Sequence, residues 1–287
     1  MKPVAFDYCR ADTVDDVLGL LAEHGPDASI VAGGMSLGPM LNMRVVRPVV
    51  LVDVNVIPGL AEIAEQDGTV VTGATVRQAD ALRNPIVAAR VPLLARALPN
   101  VGHYQTRSRG TLGGSAAHAD PSAEIPLSLV TLGGHVVLRS ARGERRVPAA
   151  AFFVGALTTA REPDEMVVGL VWPARIAATG YAFEEIAQRH GDFAITAAAA
   201  AATVGPDGMV KAASLGLGGV EDRPIRIDAA AFAGWPASAG TAQAIADDAA
   251  AKVDPMEDLQ ANAAYRRQLV RVLGGRVLAE AFEDARR

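Results

Sequence analysis

One cysteine, Cys9, stands among 287 residues. A lone thiol closes no internal disulfide and cannot by itself hold zinc or an iron–sulfur cluster. Any metal redox centre that works with this chain is therefore expected on another one. Basic charge is also scarce: 27 lysines and arginines face 32 acidic residues, a net charge of −5. No basic cluster offsets that balance, which argues against a nucleic-acid partner. No apolar run is long enough to span a bilayer. The opening "MKPVAFDYCRAD" has no signal-peptide h-region, so a cytoplasmic protein is expected. No internal repeat stands out. His103 and His118 lack companion ligands at metal spacing, and no metal site is predicted. Nor is there a Ser/His/Asp or Cys/His grouping, so no catalytic acid, base or nucleophile is assigned.

What is present is apolar mass. Half of the residues are hydrophobic (50%), enough for a sizeable core in one large domain or two to three small ones. "TVDDVLGLLAEHG" predicts a helix capped by Thr13, with Asp15 and Asp16 at its positive end and Gly25 at its stop. "ASIVAGG" and "PVVLVDV" predict buried strands, the second ending at Asp53, with a short helical segment "SLGPMLNM" between them. Asp67-Gly68 and the stretch from Ala141 to Gly143 mark two hairpins. Thr75 is expected to cap the short helix "VRQADALRN", and Pro92 to interrupt the helical run after it. "EMVVGLVWP" predicts a strand closed by Pro173. From about Arg175 the text suggests three strands followed by alanine-rich helices, and the alanine content is read as compositional bias. Three domains are expected: α/β units at 1–58 and 59–175, and an α+β unit at 176–287.

Two glycine pairs carry the chemistry. "IVAGGMSLGPMLNMR" (30–44) holds Gly33-Gly34, and "RGTLGGSAAHADPSAE" (109–124) holds Gly113-Gly114. Each is read as a turn followed by serine. Glycine lets backbone N–H groups approach an anion, because no Cβ intervenes and positive φ is allowed. Two such turns could grip the two phosphates of one dinucleotide. Each pair alone is also what an ordinary tight turn looks like. No lysine follows at P-loop spacing, and the GxGxxG spacing of an ordinary NAD-binding fold is missing.

Together the two segments resemble a known family. "AGGMSLGPMLNMRVVRPVVLVDVNVIPGL", "TRSRGTLGGSAAHADPSAEIP", "FFVGALTTAREPDEMVVGLVWP", "AQRHGDFAI" and "YRRQLVRVL" are similar, in order and spacing, to the FAD-binding medium subunits of the molybdenum hydroxylases. This is the flavoprotein family of carbon monoxide dehydrogenase and xanthine dehydrogenase. The resemblance runs from about residue 3 to about residue 280. It implies an α+β fold: two subdomains of the vanillyl-alcohol-oxidase type that sandwich FAD, plus a C-terminal α+β domain with a three-stranded antiparallel sheet and helices. It implies a large molybdopterin-binding subunit and a small subunit with 2Fe–2S clusters as partners, in a dimer of heterotrimers. An external electron acceptor is implied as well.

By that resemblance, Val31, Ala32, Gly33, Gly34, Met35, Ser36 and Leu37 line one side of the FAD diphosphate, and Thr111, Gly113, Gly114 and Ser115 the other. Asp120 and Glu124 match acidic positions near the sugar hydroxyls. The residues alone equally allow an Asp-Pro turn at Asp120 and a helix-start carboxylate at Glu124. Val101 and Val167 match apolar positions against the flavin or adenine, or are ordinary core. Phe193 matches a position near the isoalloxazine, in a loop expected to control acceptor access, or is a strand-end residue beneath a Gly-Asp turn. His118 is expected to hydrogen-bond near the diphosphate. Arg142, Glu144, Arg145 and Arg146 read as a solvated hairpin tip. Two positions depart from the family: Met35 replaces a usual Gln or His, and Glu184 lies near a lysine of some xanthine-oxidising members. The function implied is FAD-dependent electron transfer for an oxidation of a purine, N-heteroaromatic, aldehyde or carbon monoxide on the large subunit. A stand-alone FAD-dependent oxidoreductase and a flavin-free nucleotide-binding assembly protein are the alternatives.

Overall fold

A computed structural model describes all 287 residues, Met1–Arg287. The chain starts with β1 (Asp7–Arg10), α1 (Val14–His24), β2 (Ala28–Val31), α2 (Leu37–Asn42) and β3 (Val50–Asp53). The three strands pair in parallel in the order β1-β3-β2. Thr13 caps α1 in a full capping box: its hydroxyl accepts from the Asp16 N–H (3.1 Å), and Asp16 accepts from the Thr13 N–H (2.8 Å). Val17, Leu18 and Leu21 turn the buried face of α1 toward Val50 and Val52.

A five-stranded antiparallel sheet follows, in the order β4-β5-β10-β6-β7. Its strands are β4 (Ile63–Gln66), β5 (Thr69–Gly73), β6 (His135–Ser140), β7 (Gly143–Pro148) and β10 (Met166–Pro173). Between β5 and β6 run α3 (Gln78–Arg83), α4 (Pro85–Arg90), α5 (Pro92–Ala97), α6 (Tyr104–Arg109), α7 (Leu112–His118) and α8 (Glu124–Leu132). Between β7 and β10 lie α9 (Ala149–Phe152), β8 (Phe153–Gly155) and β9 (Thr158–Thr159). Both expected hairpins form, and Pro92 opens α5. Thr75 is not a cap: α3 begins after Arg77 without a side-chain cap, and the Thr75 hydroxyl is buried with no partner. The charged tip is paired rather than merely solvated, with Arg142 on Asp164 and Arg145 gripping Glu165 through two bonds of 2.6 and 2.7 Å.

The third sheet has four strands where three were expected: β11 (Thr179–Ala187), β12 (Ala194–Val204), β13 (Val210–Gly218) and the edge strand β14 (Ile225–Asp228), all antiparallel. Two helices, α10 (Ala239–Lys252) and α11 (Ala263–Asp284), cover one face. Strand β12 explains its own alanines. Ala198, Ala200 and Ala202 face the core under α10 and α11, while Ala197 and Ala199 face the opposite core with Leu93, Leu127 and Tyr181. A strand buried on both sides with a helix close to it needs small residues along its middle, here 196–202, and this packing overrides alanine's helix propensity.

Helix α8 ties this sheet to the rest. A Cβ at Gly216 would overlap the Thr131 hydroxyl, so bare backbone lets α8 lie flush on β13. Arg96 reaches across to Glu280 and Asp284, at 2.6 and 3.0 Å. No helix is long and apolar enough to cross a membrane.

Candidate functional site

A cleft of about 820 Å³ opens where the three sheets converge. All sixteen residues singled out from the sequence line it. Val31 ends β2, and Ala32, Gly33, Gly34 and Met35 form the bend that follows, with Gly34 at φ +69°. Ser36 and Leu37 begin α2. Opposite stand Thr111, Gly113, Gly114 and Ser115, then Asp120 and Glu124. Val101 and Val167 are buried on its walls, whereas Phe193 is 59% exposed at the rim.

The two glycine pairs have different jobs. The first is a bend, as expected; the second lies in the first turn of α7, capped by the Thr111 hydroxyl, which accepts from the Gly114 N–H at 3.0 Å. The Gly113 N–H is spent on the Ala74 carbonyl (3.0 Å) and the Ser115 N–H on that of Thr111 (3.1 Å). By contrast, the N–H groups of Gly33, Gly34, Met35 and Ser36 have no partner within the chain. The cradle is therefore lopsided. Its free amide donors come from the first bend, and the second segment offers the hydroxyls of Thr111 and Ser115.

Close approach explains the glycines. A Cβ on Gly33 would overlap the Arg109 carbonyl oxygen and come within 2.8 Å of Gly110 Cα; one on Gly113 would sit 2.5 Å from Ala74 Cα. A side-chain relay braces the same contact. Tyr8 donates to Asp53, Asp53 accepts from the Asn55 N–H (2.8 Å), Asn55 donates to the Ala32 carbonyl (2.9 Å), and Arg77 donates to Asn55 Oδ1 (2.6 Å) and to the Arg109 carbonyl. One end of the relay thus holds the bend, the other the segment facing it. No sequence motif announced this relay.

The acidic residues divide. Asp120 Oδ1 accepts from the Ser122 N–H at 2.8 Å, the turn role that competed with a ligand role. Glu124 opens α8 and is buried; burial pushes its carboxyl up to about 7, with Asp120 adding to the rise, while its own backbone N–H and Arg107 oppose it. Glu185 on β11 is pushed up to about 8 by burial and by Glu124. Glu184, the departing position beside it, pairs with Arg276 at 2.8 Å. His118 ends α7 on the cleft wall, and His103 packs edge-on against His190 with ring centroids 6.5 Å apart.

Both raised carboxyls hold their protons in the fold after an unfolded chain has lost them near the ordinary 4.5. The folded state then binds more protons than the unfolded one. The associated stability is complete below about 4.5 and is lost as pH climbs through about 7 and about 8. For Glu124 this amounts to on the order of 1–3 kcal/mol. Glu124→Gln is accordingly expected to flatten the decline in melting temperature between pH 5 and pH 9. A decline as steep as the parent's would count against the protonated carboxyl.

Comparison with known proteins decides the family. Residues 4–175 match the FAD binding domain in molybdopterin dehydrogenase, and residues 181–281 match the CO dehydrogenase flavoprotein C-terminal domain. The chain belongs to the FAD-binding medium subunits of the molybdenum hydroxylases. It is 38% identical to the 6-hydroxypseudooxynicotine dehydrogenase complex subunit alpha of Paenarthrobacter nicotinovorans, over 100% of this chain and 97% of that one. A solved chain of carbon monoxide dehydrogenase from Hydrogenophaga pseudoflava superposes with a TM-score of 0.95 at 37% identity, covering 99% of both. A chain of quinoline 2-oxidoreductase from Pseudomonas putida 86 follows at 0.93 and 36%, again covering 99% of both.

The medium subunit's cleft fits FAD on its own terms. Besides the four free amides and the glycine walls, two polar atoms, Thr75 Oγ1 and Gln78 Oε1, lie on residues that line the cleft and are buried without a hydrogen-bond partner. Orphaned buried groups of this kind are rare in folded proteins and are met by a ligand or water. The subunit's other wall residues missed by the motifs, such as Leu21, Pro26 and Arg161, lie outside the two glycine-pair segments.

Proposed function

We propose that this chain is the FAD-carrying electron-transfer subunit of a heterotrimeric molybdenum hydroxylase, with domain limits near residues 58 and 175. Bound FAD supplies reversible electron uptake and release, which no side chain here provides. The supporting observation is the cleft itself: four free backbone N–H groups and two hydroxyls on opposed walls brought into contact at Gly33, with Phe193 at the open rim. The N–H groups of Gly33 through Ser36 and the hydroxyls of Thr111 and Ser115 would hold the diphosphate. Buried Val101 and Val167 exclude water from the walls. Exposed Phe193 leaves one end approachable for electron exchange with a partner cluster and an external acceptor.

The partners are a large molybdopterin subunit and a small 2Fe–2S subunit, in a dimer of heterotrimers within the cytoplasm. The substrate oxidised on the large subunit is a purine, an N-heteroaromatic, an aldehyde or carbon monoxide. The single cysteine suits this division of labour. Purification of the tagged chain from its own host tests the reading. A yellow complex that releases FAD on denaturation, and that carries a molybdopterin chain and an iron–sulfur chain, is the expected outcome. A colourless chain that binds no FAD would favour the assembly protein, and an active homo-oligomer the stand-alone oxidoreductase.

A further inference from the structure

Among all residues lining the cleft, Arg161 is the only arginine or lysine. Its loop immobilises half of the guanidinium. Nη1 donates to the carbonyls of Glu162 (3.0 Å), Pro163 (3.4 Å) and Glu165 (2.7 Å), while Nε and Nη2 make no hydrogen bond. No carboxylate pairs with it. Of the three acids in the same loop, Asp164 is taken by Arg142 and Glu165 by Arg145 together with the Glu162 N–H, and the Glu162 carboxylate makes no ion pair with Arg161. Burial pulls the Arg161 group below its ordinary value, a sign that its charge is poorly solvated. Nε and Nη2 are not sealed inside the protein, and the nearby Glu165 and Asp164 charges only partly offset the burial, so this edge of the guanidinium is free to meet a group in the cleft.

The position says what. Arg161 and Pro163 lead into Met166, which packs in the core of the first sheet with Val17, Val52 and Val54, near the free-amide bend. Phe193 and Gly191 belong instead to the end near the third sheet, where a Cβ on Gly191 would touch His103. Electron exchange needs the flavin ring at the open Phe193 end, which leaves the other end for the half of the cofactor that does no chemistry.

Resting on the FAD reading above, we propose that Arg161 is a cofactor-selecting residue: its Nε and Nη2 edge recognises the adenosine-diphosphate half of FAD and makes the cleft prefer the dinucleotide over FMN or riboflavin. A planar fork suits both available features of that half, since a guanidinium pairs with phosphate oxygens and stacks on aromatic faces.

The test compares wild type, Arg161→Gln and Arg161→Lys as full-length flavin-free chains, by calorimetric titration with FAD, FMN and ADP. Arg161→Gln is expected to weaken FAD and ADP by about tenfold or more and to leave FMN within about twofold. Arg161→Lys, which keeps the charge and a donor for the loop carbonyls, is expected to recover part of the ADP affinity. Matching melting curves would establish that the loop survives; if Arg161→Gln melts early, the Lys variant alone decides by its FAD-to-FMN ratio. Unchanged FAD and ADP binding would reduce Arg161 to a loop brace and overturn the proposal. Equal weakening of FAD and FMN would overturn it too, by moving the contact to the flavin half. A wild-type chain that bound neither FAD nor ADP would defeat the FAD reading instead, a result distinct from either of these.

Discussion

Gly33→Ala is expected to strip most of the FAD from the purified protein. The new methyl would overlap the Arg109 carbonyl and press on Gly110 Cα, both of them backbone. Backbone cannot rotate aside as a side-chain tip can, so the bend and the facing segment must separate. Overpacking of this kind costs about 1–3 kcal/mol. The free amides of Gly33 through Ser36 would move relative to Thr111 and Ser115, and the FAD dissociation constant should rise by roughly 10- to 100-fold. Gly38→Ala is the matched control, because a Cβ there meets nothing within 4 Å. Fluorescence titration of both variants checks this. Equal affinity in the two would mean that the contact at Gly33 does not set the cradle.

Arg266→Ala is expected to produce the largest loss of stability of any single change proposed. Arg266 is 1% exposed in the core of the third unit. It donates to the carbonyls of Ile195 and Gly219 and pairs with Asp258 at 2.6 Å. Its removal takes a donor from the buried Gly219 carbonyl, leaves the Ile195 carbonyl with the Thr196 hydroxyl (2.9 Å), and opens a void. Asp258 keeps 41% of its side chain exposed, so the cost lies in the void, about 2–5 kcal/mol, and in the lost buried hydrogen bonds, which at about 2–4 °C per kcal/mol lowers the melting temperature by on the order of 10 °C. The damage also reaches the cleft. Ile195 lies two residues after Phe193, and the Gly219 N–H donates to the Pro121 carbonyl (2.8 Å) beside Asp120. Arg266→Lys is expected to rescue little, since one ammonium cannot span two carbonyls and a carboxylate as a fork does. Differential scanning calorimetry gives the answer, and a shift below about 2 °C would refute it.

Local chemistry made much of this legible. The Thr13 capping box, the Asp67-Gly68 hairpin and the bend at Gly33-Gly34 each depend on a few adjacent residues, and each forms where the text placed it. Elements stabilised from a distance were harder to see. Strand β1 is mostly exposed and carries no alternation, while strand β14 alternates (Ile-Arg-Ile-Asp) but is a four-residue edge too short to stand out. The first turn of α7 was hidden by the very glycines that drew attention to it. Gly114 illustrates the same point: a Cβ there would crowd the Thr111 hydroxyl at 2.7 Å, so its bareness serves a helix cap as well as a ligand. The candidate site residues all reached one cleft because resemblance carries positions that spacing alone does not. Thr75 was misread as a helix cap, and Arg161, Gln78 and the Tyr8–Asp53–Asn55–Arg77 relay gave no signal, since their meaning lies in partners far along the chain or in the lack of one.

The place of β10 at the centre of the second sheet has a consequence for the order of events at the ribosome. Strands β5 and β6 both pair with it, yet both are synthesised earlier. At roughly 5–20 residues per second, β5 waits on the order of ten seconds for its permanent neighbour. Until then two hairpins stand with open edges, and the wall that includes Val167 does not exist. Flavin loading therefore follows the emergence of β10, and a nascent chain ending before Met166 should retain no FAD.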